Sequence, residues 1–204
     1  FNKAEQKYSL SYTFLENKSK NNFSFGSTKG SLLINKINFT HKISDLYLIE
    51  IISNNQNKRN WSENFQDKNY EIEDYSVNPK LTYFSGENNR INFFYKFSDI
   101  NNKIGNREFL KQQNFGVNIF LNQKEKRGFI SEFNYFKNEY TGDINSVISY
   151  IIMNGLQKGE NYTWSFKLQR RISKLLDVNF IYAGRKSSSL KTIHNGSIQL
   201  KAIF

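Results

Sequence analysis

The chain of 204 residues carries 29 Lys and Arg against 18 Asp and Glu, a formal net charge of +11, and no Cys. The lack of Cys excludes disulfide and thiolate chemistry, and no apolar run approaches the roughly 20 residues of a membrane-spanning helix. The basic residues are dispersed and the aromatic content is 16%, which favours neither a nucleic-acid partner nor a disordered chain.

Apolar and polar residues alternate with a period of two along the whole chain, which is the pattern of β-strands with one polar face. The first clear segment runs from Tyr8 to Phe14, and the last runs from Ile198 to Phe204. The segments between them lie at 33–39, 47–51, 77–83, 91–97, 115–121, 129–135, 162–168 and 176–182. The pattern predicts an all-β fold, an antiparallel up-and-down transmembrane β-barrel of about ten strands, within a range of about eight to twelve.

The links between these segments alternate in length. Tight links are predicted near 41–44, 85–88, 122–126 and 172–174, and long ones near 15–30, 55–68, 99–104, 140–159 and 186–191. Outer-membrane barrels combine short periplasmic turns with long outer loops. The alternation therefore predicts an even number of strands, with both ends of the chain in the periplasm. A soluble β-sandwich shows the same period-two pattern, so that fold stays an alternative.

Two stretches disturb the pattern. Pro79 falls inside a predicted strand, where it removes a ladder donor, and a β-bulge is the expected remedy. The apolar run Val147–Met153 falls inside the longest outer loop. It fits either a strand that rises above the membrane or an extra hairpin that brings the count to twelve. No segment is predicted to be a helix.

Candidate catalytic groups do not assemble on this topology. His41 is predicted in a periplasmic turn and His194 near the outer rim on the lipid-facing side, which is too far apart for a shared site. Glu71 and Glu73 are predicted to share a face above the membrane, next to Asp74. This pattern fits a paired-acid or cation site, and an ordinary exposed charged strand is the alternative. We therefore predict no catalytic residue, metal ligand or cofactor.

Charged side chains are also predicted on the lumen side of the strands. A barrel of about ten strands has an interior largely filled by side chains. These charges are expected to pair within a polar core, and a small anion-preferring pore is the alternative. They are Lys80, Lys96, Glu132, Lys167 and Lys201.

Three motifs occupy the C-terminal third of the chain. They are Asn161-Tyr162-Thr163-Trp164, Tyr182-x-Gly184-Arg185-Lys186-Ser187 and Thr192-x-His194-x-Gly196-Ser197-x-Gln199-Leu200-Lys201-Ala202-x-Phe204. Together with Lys29–Leu33 and Glu73–Leu81, they resemble the C-terminal β-barrel domain of large outer-membrane proteins of Bacteroidota-type bacteria. The resemblance implies that residues 1–204 are one barrel domain, the C-terminal piece of a longer precursor with a signal peptide and further domains.

The same resemblance implies insertion by the β-barrel assembly machinery, which recognises a final strand ending in an aromatic residue. The corresponding residues are Ile198, Leu200, Ala202 and Phe204. Ala202 departs from the pattern, because many such signals carry an aromatic residue there, and this departure implies weaker recognition.

These expectations combine into a function and two alternatives. The first is a barrel in the outer membrane of a Gram-negative cell, acting as a membrane anchor or a narrow, porin-like pore for a larger surface or periplasmic protein, with outer-membrane lipid and lipopolysaccharide as partners. The second is an outer-membrane enzyme of lipase or protease type. The third is a soluble β-barrel or sandwich that binds a ligand. It requires a dry core containing Tyr8, Phe93, Phe133, Phe166 and Phe180.

Overall fold

The computed structural model describes residues 7–24, 26–86, 88–105, 107–123, 127–173, 175–188 and 190–202. Strands account for most of them, with one short α-helix, α1 (Val147–Ile152), and a 3-10 turn at Gln66–Lys68. The strands are β1 (Tyr8–Phe23), β2 (Gly26–Lys42), β3 (Tyr47–Ser62), β4 (Tyr70–Ser85), β5 (Asn89–Asn102), β6 (Phe109–Gln123), β7 (Arg127–Thr141), β8 (Gly159–Ser173), β9 (Leu176–Ser187) and β10 (Ile193–Ala202).

All ten strands form one sheet in which spatial order equals chain order, and every neighbouring pair is antiparallel. The predicted all-β, up-and-down architecture with ten strands is confirmed. Strands β1 and β10 are the two edges of the sheet, and no ladder between them occurs within the described residues. We call the end with the β2–β3 and β4–β5 connections the turn end, and the end with the β3–β4 and β7–β8 connections the loop end.

The sheet has two faces of opposite chemistry, and the register defines them. Residues directly opposite each other in an antiparallel ladder point to the same face, so one row of partners can be followed across the sheet. The outer face contains the row Ile49, Leu81, Phe93, Val117, Phe133 and Trp164. The inner face contains the adjacent row Glu50, Lys80, Phe94, Gly116, Asn134 and Thr163.

The hydrophobic core lies on the inner face at the loop end. There Ile72, Ile100 and Leu110 project from neighbouring strands, and Leu110 is fully buried. The segment around α1 folds over them and contributes Ile148, Ile152, Met153 and Leu156 to the same cluster. The expectation of a strand or extra hairpin at 147–153 is therefore wrong, and so is the expectation that no helix forms.

Local contacts explain where α1 begins and how its loop is held. The Ser146 hydroxyl caps the helix by accepting a hydrogen bond of 3.0 Å from the backbone N–H of Ser149. After the helix, the side-chain amides of Asn138 and Asn161 both donate to the Gln157 carbonyl, at 2.9 and 2.8 Å. These bonds fix the loop against β7 and β8 because they satisfy a loop carbonyl from side chains of the sheet.

The links follow the predicted alternation except at the first hairpin. Strand β1 continues to Phe23 and β2 begins at Gly26, so the long loop expected at 15–30 is wrong. Residues 16–22 are polar on both faces, and their backbone ladder with β2 is nevertheless complete. The loop-end connections at 63–69, 103–108 and 142–158 are longer than the turn-end connections at 43–46 and 86–88.

Pro79 does not cause the expected bulge. The β4–β5 ladder keeps one register on both sides of it, with Val77 opposite Phe97 and Lys80 opposite Phe94. Only the two ladder positions at Asn78 and Pro79 are missing, which is the minimal consequence of a residue without an N–H. The register shift in this sheet lies instead between β8 and β9, near Arg171 and Ser173.

Candidate functional site

An exposed apolar belt crosses the outer face of all ten strands, toward the turn end. It consists of outward residues that are almost all apolar, and many of its large side chains are left exposed. We define the apolar belt as the outward-pointing residues of 8–14, 37–41, 47–51, 75–83, 91–97, 115–121, 129–135, 162–168, 176–182 and 198–202. Contiguous apolar surface of this extent marks an interaction surface rather than ordinary exposure.

Five aromatic residues decide between a dry core and an outward belt. Their exposed fractions are 59% for Tyr8, 43% for Phe93, 43% for Phe133, 38% for Phe166 and 37% for Phe180. None of them belongs to the buried cluster at the loop end. The soluble-sandwich expectation that these rings point into a dry core is therefore wrong.

The belt extends over several residues on each strand. On β5 the outward apolar residues run from Ile91 to Phe97, and on β4 they run from Tyr75 to Tyr83. At ~3.3 Å per residue, these spans correspond to roughly 20–26 Å along the strand. A strand tilt of about 45° would reduce them to roughly 14–19 Å along the normal, which is about a half to three quarters of the roughly 25 Å lipid-facing band of known barrels.

Beyond the belt, toward the loop end, the outer face becomes charged. Arg59 pairs with Glu71 at 2.6 Å, and Lys103 pairs with Glu73 at 2.7 Å. Glu71 and Glu73 do share a face, whereas Asp74 lies on the inner one. Because each glutamate has its own cation, the two carboxylates do not form a joint cation site. No group of three potential metal ligands occurs among the described residues.

Tyrosine pairs border the belt on both sides. Tyr47 and Tyr83 are neighbours at the turn end, with ring centroids 5.3 Å apart. Toward the loop end, the rings of Tyr135 and Tyr162 are 5.2 Å apart, and the Tyr135 hydroxyl donates to Glu160 at 3.2 Å. A ring on apolar surface with its hydroxyl on a polar partner is the arrangement that interfacial tyrosines adopt.

The two histidines occur on different strands and contact aromatic residues. His41 lies in β2, not in a turn as expected, and stacks on Tyr8 at 4.4 Å. His194 lies on the outer face of β10, where its Nδ1 is hydrogen-bonded to the Tyr182 hydroxyl at 2.7 Å, and its ring is 5.9 Å from Trp164. In the described part of the chain neither ring contacts a serine hydroxyl or a carboxylate.

The charges predicted for the lumen lie on the inner face by register. Lys80 is directly opposite Glu50 and forms an ion pair with it. Farther along, Arg171 is opposite Asp177 and bonds to it at 2.9 Å. The remaining predicted residues on this face are Lys96, Glu132, Lys167 and Lys201.

The inner face is polar along its middle and open at the turn end. Asn38, Asn78, Asn92 and Asn114 each have a buried side-chain oxygen with no hydrogen bond to the described part of the protein. At the turn end, a cavity of about 570 Å³ has lining residues from β4 to β9, including Arg90, whose guanidinium lies 4.4 Å from the Phe120 ring centre. One cavity bordered by six successive strands requires the sheet to curve around its inner face.

The proposed assembly residues are at the edge of the sheet. Ile198 and Leu200 are exposed on the outer face of β10, in line with Phe180 and Val178 of β9. Ala202 is likewise exposed. Phe204 lies outside the described residues.

No protein-family model and no curated protein matches this chain. Among its described residues, no helix has the length and apolarity needed to cross a membrane.

One hydrogen-bonded carboxylate at the loop end gives a pH-dependent prediction. The Ser27 hydroxyl and backbone N–H each donate to Glu63 at 2.8 Å. These two bonds, with help from Lys29 and Lys20, hold the pKa of the Glu63 carboxyl below its ordinary value. A lowered carboxyl pKa adds stability above the ordinary pKa of about 4.3 and loses it as pH falls through the folded value.

We therefore expect Ser27→Ala to raise the pKa of Glu63 toward its ordinary value, which carbon-detected NMR titration measures. The unfolding free energy of the variant should fall below that of the wild type near neutral pH, and the difference should shrink as pH drops below 4. An unchanged Glu63 titration in Ser27→Ala would contradict the assigned cause.

Proposed function

We propose that this chain is a transmembrane β-barrel domain of the bacterial outer membrane, and that it acts as a membrane anchor. The apolar belt is the observation that carries the proposal. Its rings are exposed on the convex side while the concave side is polar, which is the reverse of a soluble β-protein and the arrangement of a membrane barrel. Outer-membrane lipid and lipopolysaccharide are then the surroundings of the belt, and the β-barrel assembly machinery is its route of insertion.

The proposal includes pairing of the two sheet edges in the bilayer. An open edge in hydrocarbon leaves backbone N–H and C=O groups without partners, which is why only closed barrels span membranes with strands. Strands β1 and β10 run in opposite directions in a ten-stranded up-and-down sheet, so they suit an antiparallel closing ladder. The outward residues Leu10 and Leu200 would then continue the belt across that ladder.

An anchor fits the inner face better than an open pore does. At the loop end the interior is filled by the apolar contacts of Ile148, Ile152 and Met153 with the strands. The polar cavity near Arg90 lies at the turn end, away from this cluster. The enzyme alternative gains no support, because the hydrogen-bond partners of His41 and His194 among the described residues are the Lys7 carbonyl and the Tyr182 hydroxyl.

The two tryptophans provide a sharp test of membrane insertion. Trp164 lies in the apolar belt, whereas Trp61 lies on the outer face well beyond it. Single-tryptophan variants, Trp61→Phe and Trp164→Phe, are refolded into vesicles containing lipids brominated at the middle of the acyl chain. We expect strong quenching of Trp164 fluorescence and weak quenching of Trp61.

Heat-modifiable migration in detergent gels and resistance to carbonate extraction are the accompanying expectations. Equal, weak quenching of both tryptophans would contradict the proposal, because the belt would then not face acyl chains. A chain that is monomeric and soluble without detergent would contradict it as well.

A further inference from the structure

A basic patch lies on the outer face of β1–β3, beyond the loop-end side of the apolar belt. Lys20 is directly opposite Lys29, and Lys29 is directly opposite Trp61. Lys18 and Arg59 lie in the next outward row toward the belt. Together they border a shallow concavity of about 430 Å³, over which the indole of Trp61 is largely exposed.

The two central lysines form a like-charged pair. Side chains directly opposite in an antiparallel ladder have Cβ atoms about 4.5–5.5 Å apart, and like charges in that position destabilise the sheet. Within the described residues, neither Lys20 nor Lys29 lies within ion-pair distance of a carboxylate. Glu63 acts electrostatically on both, but its two oxygens accept hydrogen bonds from Ser27.

Other cations of the same face are compensated differently. Lys103 pairs with Glu73 at 2.7 Å, and Lys137 pairs with Glu139 at 3.7 Å. In the patch itself, Lys18 and Arg59 have glutamate partners. Lys20 and Lys29 are therefore adjacent cations without a direct ion pair among the described residues, and an anion between the two ammonium groups would reduce their repulsion.

The position of the pair relative to the belt indicates which anion it meets. On β1 the last outward belt residue is Phe14, so Lys18 and Lys20 follow at ~13 and ~20 Å along the strand. With a strand tilt of about 45°, these distances become roughly 9 and 14 Å along the membrane normal. The polar headgroup layer begins directly above the hydrocarbon, and long lysine side chains bend toward such a layer.

We propose that Lys20, Lys29 and Trp61 form a binding site for the phosphorylated headgroup of an outer-leaflet lipid, with Lys18 and Arg59 as flanking cations. The two ammonium groups share the phosphate through charge-assisted hydrogen bonds. The Trp61 ring covers the less polar part of the headgroup, as interfacial tryptophans do. The site rests on the membrane insertion proposed above, because only insertion brings lipid headgroups to this level.

The test uses the full chain reconstituted in phosphatidylcholine nanodiscs. Binding of bisphosphorylated lipid A is compared with binding of the same lipid after phosphatase treatment and with inorganic phosphate. The variant Lys20→Gln/Lys29→Gln is compared with Lys103→Gln/Lys137→Gln, which removes the same charge from the same face at ion-paired positions. We expect about a tenfold or greater loss of lipid A affinity in the first variant and little change in the control.

The wild type should also bind the dephosphorylated lipid more weakly than lipid A. Inorganic phosphate should compete only weakly with lipid A for the site. Equal affinities of the two double variants, or equal binding of phosphorylated and dephosphorylated lipid, would overturn the site while leaving insertion intact. Competition by inorganic phosphate at the affinity of the lipid would overturn its assignment to a headgroup. Failure of the wild type to enter nanodiscs would overturn both proposals.

Discussion

Val117→Arg should lower the unfolding free energy in lipid vesicles by about 2–4 kcal/mol, the cost of a guanidinium at the bilayer midplane on the lipid face of a barrel. Val117 lies in the middle of the apolar belt between Phe93 and Phe133. In water, an arginine at a partly exposed strand position usually changes stability by no more than about 0.5 kcal/mol. The size of the effect therefore reports on the solvent that the belt faces.

Gln113→Arg is the matched control. It adds the same group to the same strand and the same face, opposite Phe97, just beyond the belt. Because the cost of a cation falls to about 0–1 kcal/mol near the membrane interface, the control should unfold near the wild-type denaturant concentration. Equilibrium urea unfolding followed by tryptophan fluorescence measures both variants. Equal, small effects at the two positions would contradict a lipid-facing belt.

Ile152→Asp should detach α1 from the inner face while the sheet stays folded. Ile152 is 3% exposed and belongs to the buried cluster with Leu110. A carboxylate there has no partner, and large-to-small changes at such sites alone cost about 2–5 kcal/mol. Local detachment of the segment 142–158 from the strands costs less free energy than unfolding of the whole sheet. We expect tryptic cleavage after Lys158 to accelerate by at least about tenfold, as for a site whose opening free energy falls by more than 1.4 kcal/mol.

Tyr150→Asp introduces the same charge on the same helix at a residue that is 68% exposed. Its cleavage rate should stay close to that of the wild type. Planar-bilayer conductance provides a second reading, since detachment of α1 removes the apolar contacts that fill the loop end of the interior. Conductance in Ile152→Asp but not in Tyr150→Asp is the expected result. Identical cleavage of the two variants would contradict the packing described for α1.

The strands and their two faces are predictable because alternation acts on each strand separately. Within the segment from Tyr8 to Phe14, the alternation of apolar and polar residues alone identifies the outward face of the strand. The observed register with β2 agrees with this prediction. The polar continuation of β1 to Phe23 is not predictable in this way. Beyond the belt both faces meet water, so the pattern loses its period while the backbone ladder continues. The same loss conceals the Lys20–Lys29 pair, whose juxtaposition depends on the tight first hairpin.

The helix at 147–152 is not predictable from the sequence, for a different reason. Its Val, Ile and Tyr residues favour strands by intrinsic preference, and a helix of this length has no stability of its own in water. The helix forms because Ile148 and Ile152 pack in one buried cluster with Leu110 and neighbouring residues on the inner face. Those contacts join residues far apart in sequence, so a local reading of the chain does not contain them.

The unpaired edges of β1 and β10 imply a constraint on the order of events during assembly. Every second residue of an edge strand directs its backbone N–H and C=O away from the sheet, and these groups cost several kcal/mol apiece in hydrocarbon when left without partners. A few such groups exceed the total stability of an ordinary domain. A half-inserted open sheet is therefore not a state that can accumulate in the bilayer. In the proposed barrel, entry into the membrane and pairing of β1 with β10 would therefore occur as a single cooperative transition.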